Sequence, residues 1–195
     1  MDYKTTFDTL GNVDIYVIDQ ILKGRYLNGQ SILDAGCGKG RNLKWFYQND
    51  FELFGIDANS EFLLTAKQNY PKAAENLTVG TLDNLPYGEN NFDHILCCAV
   101  LHFAESETHF TTMFSELIRV LKPGGMLLIR MASNIGLDGN APEIRYKENG
   151  KKGTYYLTRE RINQLIIEFS LTLLESVKTT NVQDVRAMTT LVLSK

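Results

Sequence analysis

Strand-like and helix-like segments alternate along most of this chain, which predicts an α/β protein with a largely parallel sheet covered by helices. Two further observations sharpen that prediction. Three glycines, Gly36, Gly38 and Gly40, fall between an apolar run and an amphipathic one. A strand, a glycine-rich turn and a helix in that order present backbone N–H groups to a ligand. The last two strand-like runs, "LTLLESV" and "AMTTLVLS", are separated by only about eight residues, whereas a parallel crossover needs roughly a dozen or more. The final strand is therefore expected to run antiparallel.

Residues 12–24, "NVDIYVIDQILKG", carry apolar side chains at Val13, Ile15, Tyr16, Val17, Ile18, Ile21 and Leu22. This is a helical stripe with Gly24 as its stop. "SILDAG" reads as a short buried strand, and "RNLKWFYQ" as a helix with Leu43, Phe46 and Tyr47 inward. "FELFGID" is the second strand. "NSEFLLTAKQNY" opens on an Asn/Ser cap and closes before Pro71, as helices do. "NLTVG" is the third strand, and "NFDHILCCAVL" the fourth, apolar enough to be covered on both faces. "ETHFTTMFSELIRVL" is a helix stopped by "KPGG", and "MLLIRMA" is the fifth strand. "TRERINQLIIEF" is a helix capped by Thr158, ahead of the two final strands.

The 195 residues fit one domain with one core. Residues 1–28 read as an N-terminal helical cover, and 133–156, which lack a clear period, as a loop insertion over the sheet's C-terminal edge. A net charge of −3 and a pI of about 5.6 argue against a large basic surface for nucleic acid. No secretory signal and no apolar run of membrane-spanning length are visible. Three cysteines, an odd number without a CxxC, fit reduced thiols in a cytoplasmic setting.

The glycine turn reads GxGxG, with Arg41 where a dinucleotide fingerprint has its third glycine. No GKS or GKT follows, so an ATP-type loop is absent. Asp57 ends the second strand, where a carboxylate can accept from both hydroxyls of a ribose. A carboxylate there can equally cap the following helix. Lys39 and Arg41 stand at a helix N-terminus, where positive charge is unfavourable. A rule broken beside a binding turn suggests a compensating anion. An acidic ligand or substrate would supply one, and solvated side chains are the plainer alternative.

With "ILDAGCGKG", "GID", "LPYGENNFDHILCCAVLHF", "ELIRVLKPGGMLLI" and an antiparallel last strand in view, the chain resembles the class I S-adenosylmethionine-dependent methyltransferases from residue 31 to 195. The resemblance implies a three-layer Rossmann-like fold with a seven-stranded, mostly parallel sheet. It implies S-adenosylmethionine as cofactor and methyl transfer as activity. Gly36, Cys37 and Gly38 would border the methionine and ribose, Asp34 would help hold the ammonium, and Arg41 could meet the carboxylate. Asp57 with Ala58 would take the ribose, and Thr81, Leu82 and Asp83 the adenine. Cys98 and Ala99 would lie near the methionine. The acid such relatives often carry four residues before the "LP" leucine is here Thr81, so Thr81, Asp83 or the Leu82 backbone must read the adenine.

His102, just past the fourth strand, is the candidate base, with capping or packing as its alternative. Arg130 interrupts the apolar fifth strand at the same edge and could pair with a substrate anion or with a loop carboxylate. Cys97 and Cys98 read as inert buried thiols, and nothing suggests a metal site. A small-molecule acceptor is expected, since no further domain or basic surface is present to hold a macromolecule. A nicotinamide-dependent oxidoreductase and a non-catalytic cofactor-binding subunit are the rival readings.

Overall fold

The computed structural model describes residues 2–137, 144–145 and 153–195. The strands are β1 (Ser31–Ala35), β2 (Glu52–Asp57), β3 (Leu77–Val79), β4 (Phe92–Cys98), β5 (Leu121–Ser133), β6 (Ile144–Arg145), β7 (Thr154–Tyr155), β8 (Thr172–Leu173), β9 (Lys178–Val182) and β10 (Arg186–Ser194). The helices are α1 (Tyr3–Leu10), α2 (Ile15–Leu22), α3 (Lys44–Gln48), α4 (Ser60–Asn69), α5 (Glu107–Val120) and α6 (Arg159–Glu168).

The main sheet has the order β3-β2-β1-β4-β5-β10-β8, with β9 also paired to β10. The first five strands are parallel, and β10 runs antiparallel to β5, β8 and β9. The expected antiparallel end is therefore present, but its partner differs from the expected single run. β8 and β9 lie in line along the free edge of β10, facing Leu193–Ser194 and Arg186–Thr190 respectively. The β9–β10 connection is a tight turn in which Gln183 and Asp184 have positive φ and Val185 N–H donates to Val182 O at 3.1 Å. A hairpin turn that short forces antiparallel pairing.

Both faces of the sheet are covered. Phe110, Phe114 and Leu117 of α5, with Ile162 and Leu165 of α6, pack on Leu33, Ile95, Leu127 and Ile129. On the other face Val17, Leu43, Phe46, Leu63 and Ala66 pack on Ile32, Leu96, Leu128 and Val192. This is why β1 is buried at all five positions. The α5 stripe follows from helical spacing, since Phe110, Met113, Phe114 and Leu117 recur every three or four residues. Burying each such side chain contributes about 1.5–3 kcal/mol.

The N-terminal cover contains two helices, capped by Asp2 and Asp14. α1 buries no residue, and Tyr3 and Phe7 are exposed. Of the 133–156 insertion, residues 133–137, 144–145 and 153–156 are described. Leu157 N–H donates to Ala132 O and Asn134 N–H to Leu157 O, at 3.0 and 3.1 Å, which anchors it beside the end of β5. Residues 146–152, most of the basic run Arg145–Lys152, lie outside the described residues. No helix among the described residues is long and apolar enough to cross a membrane.

Gly40 has φ +78°, and a Cβ there would stand 2.5 Å from Tyr70 Cε2. The Tyr70 ring cannot retreat easily, because its hydroxyl donates to Gly40 O at 2.8 Å. Gly40→Ala is expected to lower stability by about 2–3 kcal/mol through overpacking and left-handed strain. Urea unfolding measures this, and a loss below half a kcal/mol would show that the ring gives way.

Candidate active site

The turn after β1 is built by hydrogen bonds across to β2. Gly36 and Cys37 N–H groups both donate to Ile56 O, at 2.8 and 3.0 Å. One residue further, Gly38 N–H donates to Asp57 Oδ2 at 2.8 Å, and Asn59 N–H to Oδ1 at 2.8 Å. The Asp57 carboxylate is thus fixed from both sides, and each oxygen retains a lone pair for a further donor. The helix-cap reading also has a definite outcome: Asn59, not Asp57, caps α4, accepting from Glu61 and Phe62 N–H.

A cavity of about 540 Å³ opens beside this carboxylate. Gly36, Gly38, Asp57, Ala58, Thr81, Leu82, Asp83 and Ala99, all expected at the site, line it. Phe62, Gly80, Val100, Phe103, His109 and Met113 complete its wall. Phe62 and Phe103 are 41% and 54% exposed, and exposed aromatics around a cleft mark a place where a flat apolar group can stack. His109 and Met113 are four residues apart on α5, a helical spacing that periodicity could have flagged. His109 Nδ1 accepts from Glu105 N–H at 3.2 Å, which leaves Nε2 as the donor of the neutral ring. The Thr81 hydroxyl bonds to Asp83 and holds that carboxyl below its usual range. Asp83 is therefore the charged acceptor at this end of the cavity.

The glycines of the turn are bare for different reasons. A Cβ at Gly36 (φ +84°) would meet Val100 Cγ2 at 2.2 Å, so a side chain of the protein itself excludes one there. At Gly38 (φ +54°) the nearest atom would be 4.0 Å away, on the Phe62 ring. Gly38 is the glycine whose space is open.

Asp34, Cys37, Arg41, Cys98 and His102 are not in the cavity wall. Cys37 turns into the core beside Gly55, and the Cys37, Cys97 and Cys98 thiols are all buried. Burial pushes each thiol's pKa upward, as inert cysteines require. Arg41 meets its compensating anion within the chain: its Nη2 donates to Asp14 Oδ2 at 3.3 Å. Arg130 Nη1 donates to the same oxygen at 3.3 Å. Asp34 is fully buried, and neither carboxylate oxygen has a hydrogen-bond partner. Desolvation raises its pKa to about 7, against the pull of Arg41. His102 is half-buried on the Phe103 ring, 4.5 Å between centroids, with Nδ1 unpartnered. Among the described residues no cluster of His, Cys, Asp and Glu could hold a metal ion.

A family model described as a methyltransferase domain matches residues 33–129. The chain belongs to the class I S-adenosylmethionine-dependent methyltransferases. The chain is 34% identical over 101 residues to an uncharacterized methyltransferase from Synechocystis, covering 52% of this chain and 46% of the relative. It is 35% identical over 102 residues to a tRNA (carboxymethyluridine(34)-5-O)-methyltransferase from Arabidopsis thaliana, covering 52% and 24%. The matches thus span less than half of either relative. Among solved structures, a 1,6-didemethyltoxoflavin N1-methyltransferase from Burkholderia thailandensis aligns with a TM-score of 0.72 and 16% identity, over 98% of this chain and 81% of that one.

S-adenosylmethionine is the cofactor of this family, and the residues present fit it. A buried carboxylate lacking any partner, at Asp34, suits an ammonium. A doubly anchored carboxylate with spare lone pairs, at Asp57, suits a diol. The aromatic-walled cleft ending at Asp83 suits a purine.

Proposed function

We propose that this chain transfers the methyl group of S-adenosylmethionine to a nucleophile on a small molecule. The supporting observation is the pair of carboxylates flanking the glycine turn, Asp34 buried and orphaned, Asp57 preorganised and open. Asp34 would bind the ammonium and Asp57 the ribose hydroxyls, while Phe62, Phe103, Met113 and Asp83 would hold the adenine. Bound there, the cofactor supplies a methyl group already electrophilic at its sulfonium. The chain's own part is alignment and exclusion of water, and orientation alone can supply roughly 7–11 kcal/mol. His102 is the proposed base, adding about 10²–10⁴-fold.

Calorimetry with S-adenosylhomocysteine tests the cofactor placement. Asp57→Ala should weaken binding by about 2 kcal/mol, near 30-fold, by removing a charged acceptor. An unchanged affinity would remove the ribose assignment. The acceptor class is tested by radiolabelled methyl transfer into a metabolite fraction and into bulk tRNA. Label in tRNA alone would replace the small molecule with the acceptor class of the Arabidopsis relative.

A further inference from the structure

The end of β5 carries a polar cluster that the nucleoside cavity does not use. Arg41 and Arg130 converge on one oxygen of Asp14, each at 3.3 Å, and the Asp14 side chain is 4% exposed. Its other oxygen accepts from Tyr16 N–H at 3.1 Å, and its backbone N–H is held by Asn42 Oδ1 at 3.1 Å. This aspartate is therefore fixed. Among the described residues Arg130 is only partly employed: its Nε is buried without an acceptor, and its side chain keeps 22% exposure. The guanidinium lies 5.5 Å from the centroid of the Tyr16 ring, whose hydroxyl shares a 2.6 Å hydrogen bond with Thr180 Oγ1. These contacts orient the fork and, among the described residues, leave its Nε unpaired.

The position of Arg130 separates it from the nucleoside. It pairs in register with Cys98 at the end of β4, and its carbonyl accepts from Ala99 N–H at 2.7 Å. Ala99 and Val100 form the cavity wall on that side. Arg130 thus stands one strand beyond the wall and two strands from the glycine turn, about 10 Å at the usual strand spacing. An acceptor attacking in line with the sulfur–methyl bond must come from outside the nucleoside cleft.

We infer that the methyl acceptor is a carboxylic acid whose carboxylate is taken by Arg130, with Asp14 and Arg41 fixing the fork. The inference rests on the cofactor placement above. Arginine suits it because a planar guanidinium pairs with a carboxylate through two parallel bonds.

The test uses the full chain saturated with S-adenosylhomocysteine and titrated with acetate, malonate and benzoate, each beside its uncharged amide. At least one acid should bind, and its amide at least tenfold more weakly. Arg130→Gln should lose the acid tenfold or more, and Arg130→Lys should regain part of it. Both variants should bind S-adenosylhomocysteine within twofold of the unaltered chain. Binding of none of the acids, or equal binding of acid and amide, overturns the inference on the unaltered chain, whether or not a variant folds. So does an Arg130→Gln chain that loses S-adenosylhomocysteine but keeps 5′-methylthioadenosine, since Arg130 would then serve the cofactor's own carboxylate. Failure of the unaltered chain to bind S-adenosylhomocysteine would defeat the cofactor placement instead, and is read separately.

Discussion

Asp34→Asn is expected to weaken S-adenosylhomocysteine binding by roughly 10²–10³-fold, because breaking a buried charge pair removes about 3–5 kcal/mol. The same substitution should make the ligand-free chain more stable above neutral pH. Burial lifts the Asp34 carboxyl to about 7, whereas in the unfolded chain it titrates near 4. Between those values the folded chain binds more protons than the unfolded one, so stability falls as pH rises through that window. The loss is complete above about pH 7 and amounts to at most about 4 kcal/mol, from three pKa units at about 1.4 kcal/mol each. Asparagine carries no charge but leaves an unpaired buried amide, costing about 1–3 kcal/mol. A net gain of up to about 1–3 kcal/mol at pH 8, turning into a net loss of about 1–3 kcal/mol at pH 4, should therefore appear in urea unfolding. The two effects together identify a carboxylate kept at the expense of stability for a cation the free chain lacks. Unaltered ligand binding by the asparagine variant would show that the ammonium goes elsewhere.

His102→Ala is expected to slow turnover about 10²–10⁴-fold while leaving S-adenosylhomocysteine affinity within twofold. The ring follows β4 in the short 3-10 turn Leu101–Phe103, at the edge where acceptor and methyl group would meet. Desolvation lowers its pKa below the ordinary histidine value, so it is neutral and able to accept a proton at pH 7. The acid limb of kcat/KM should then fall below the usual histidine midpoint of about 6.5, with a plateau through neutral pH. Loss of that limb in the alanine variant would tie it to this ring. Turnover unchanged alongside a lower melting temperature would assign His102 to packing on Phe103.

Local patterns made much of this chain legible. The glycine turn, Asp57 at the end of β2 and the Thr81–Asp83 segment meet around one cavity. Spacing along a single element carried those readings, and helix and strand periods are short enough to be seen in a dozen residues. His109 and Met113 were equally visible as an α5 pair, but their role depended on which face of that helix the glycine turn would meet.

The sequence by itself determined the layered α/β order, the antiparallel end and the carboxylate opposite the glycines, because each rests on periods, caps and connection lengths within a few neighbouring residues. The tertiary structure alone decided why the glycines are bare and where the charges go. Val100 fills the space at Gly36 and Tyr70 the space at Gly40, from 64 and 30 positions away. Asp14 takes Arg41 and Arg130 together, and Asp34 is left with no partner. Contacts between distant residues depend on how whole elements pack, and no local pattern encodes which side chain arrives from the far end of the chain.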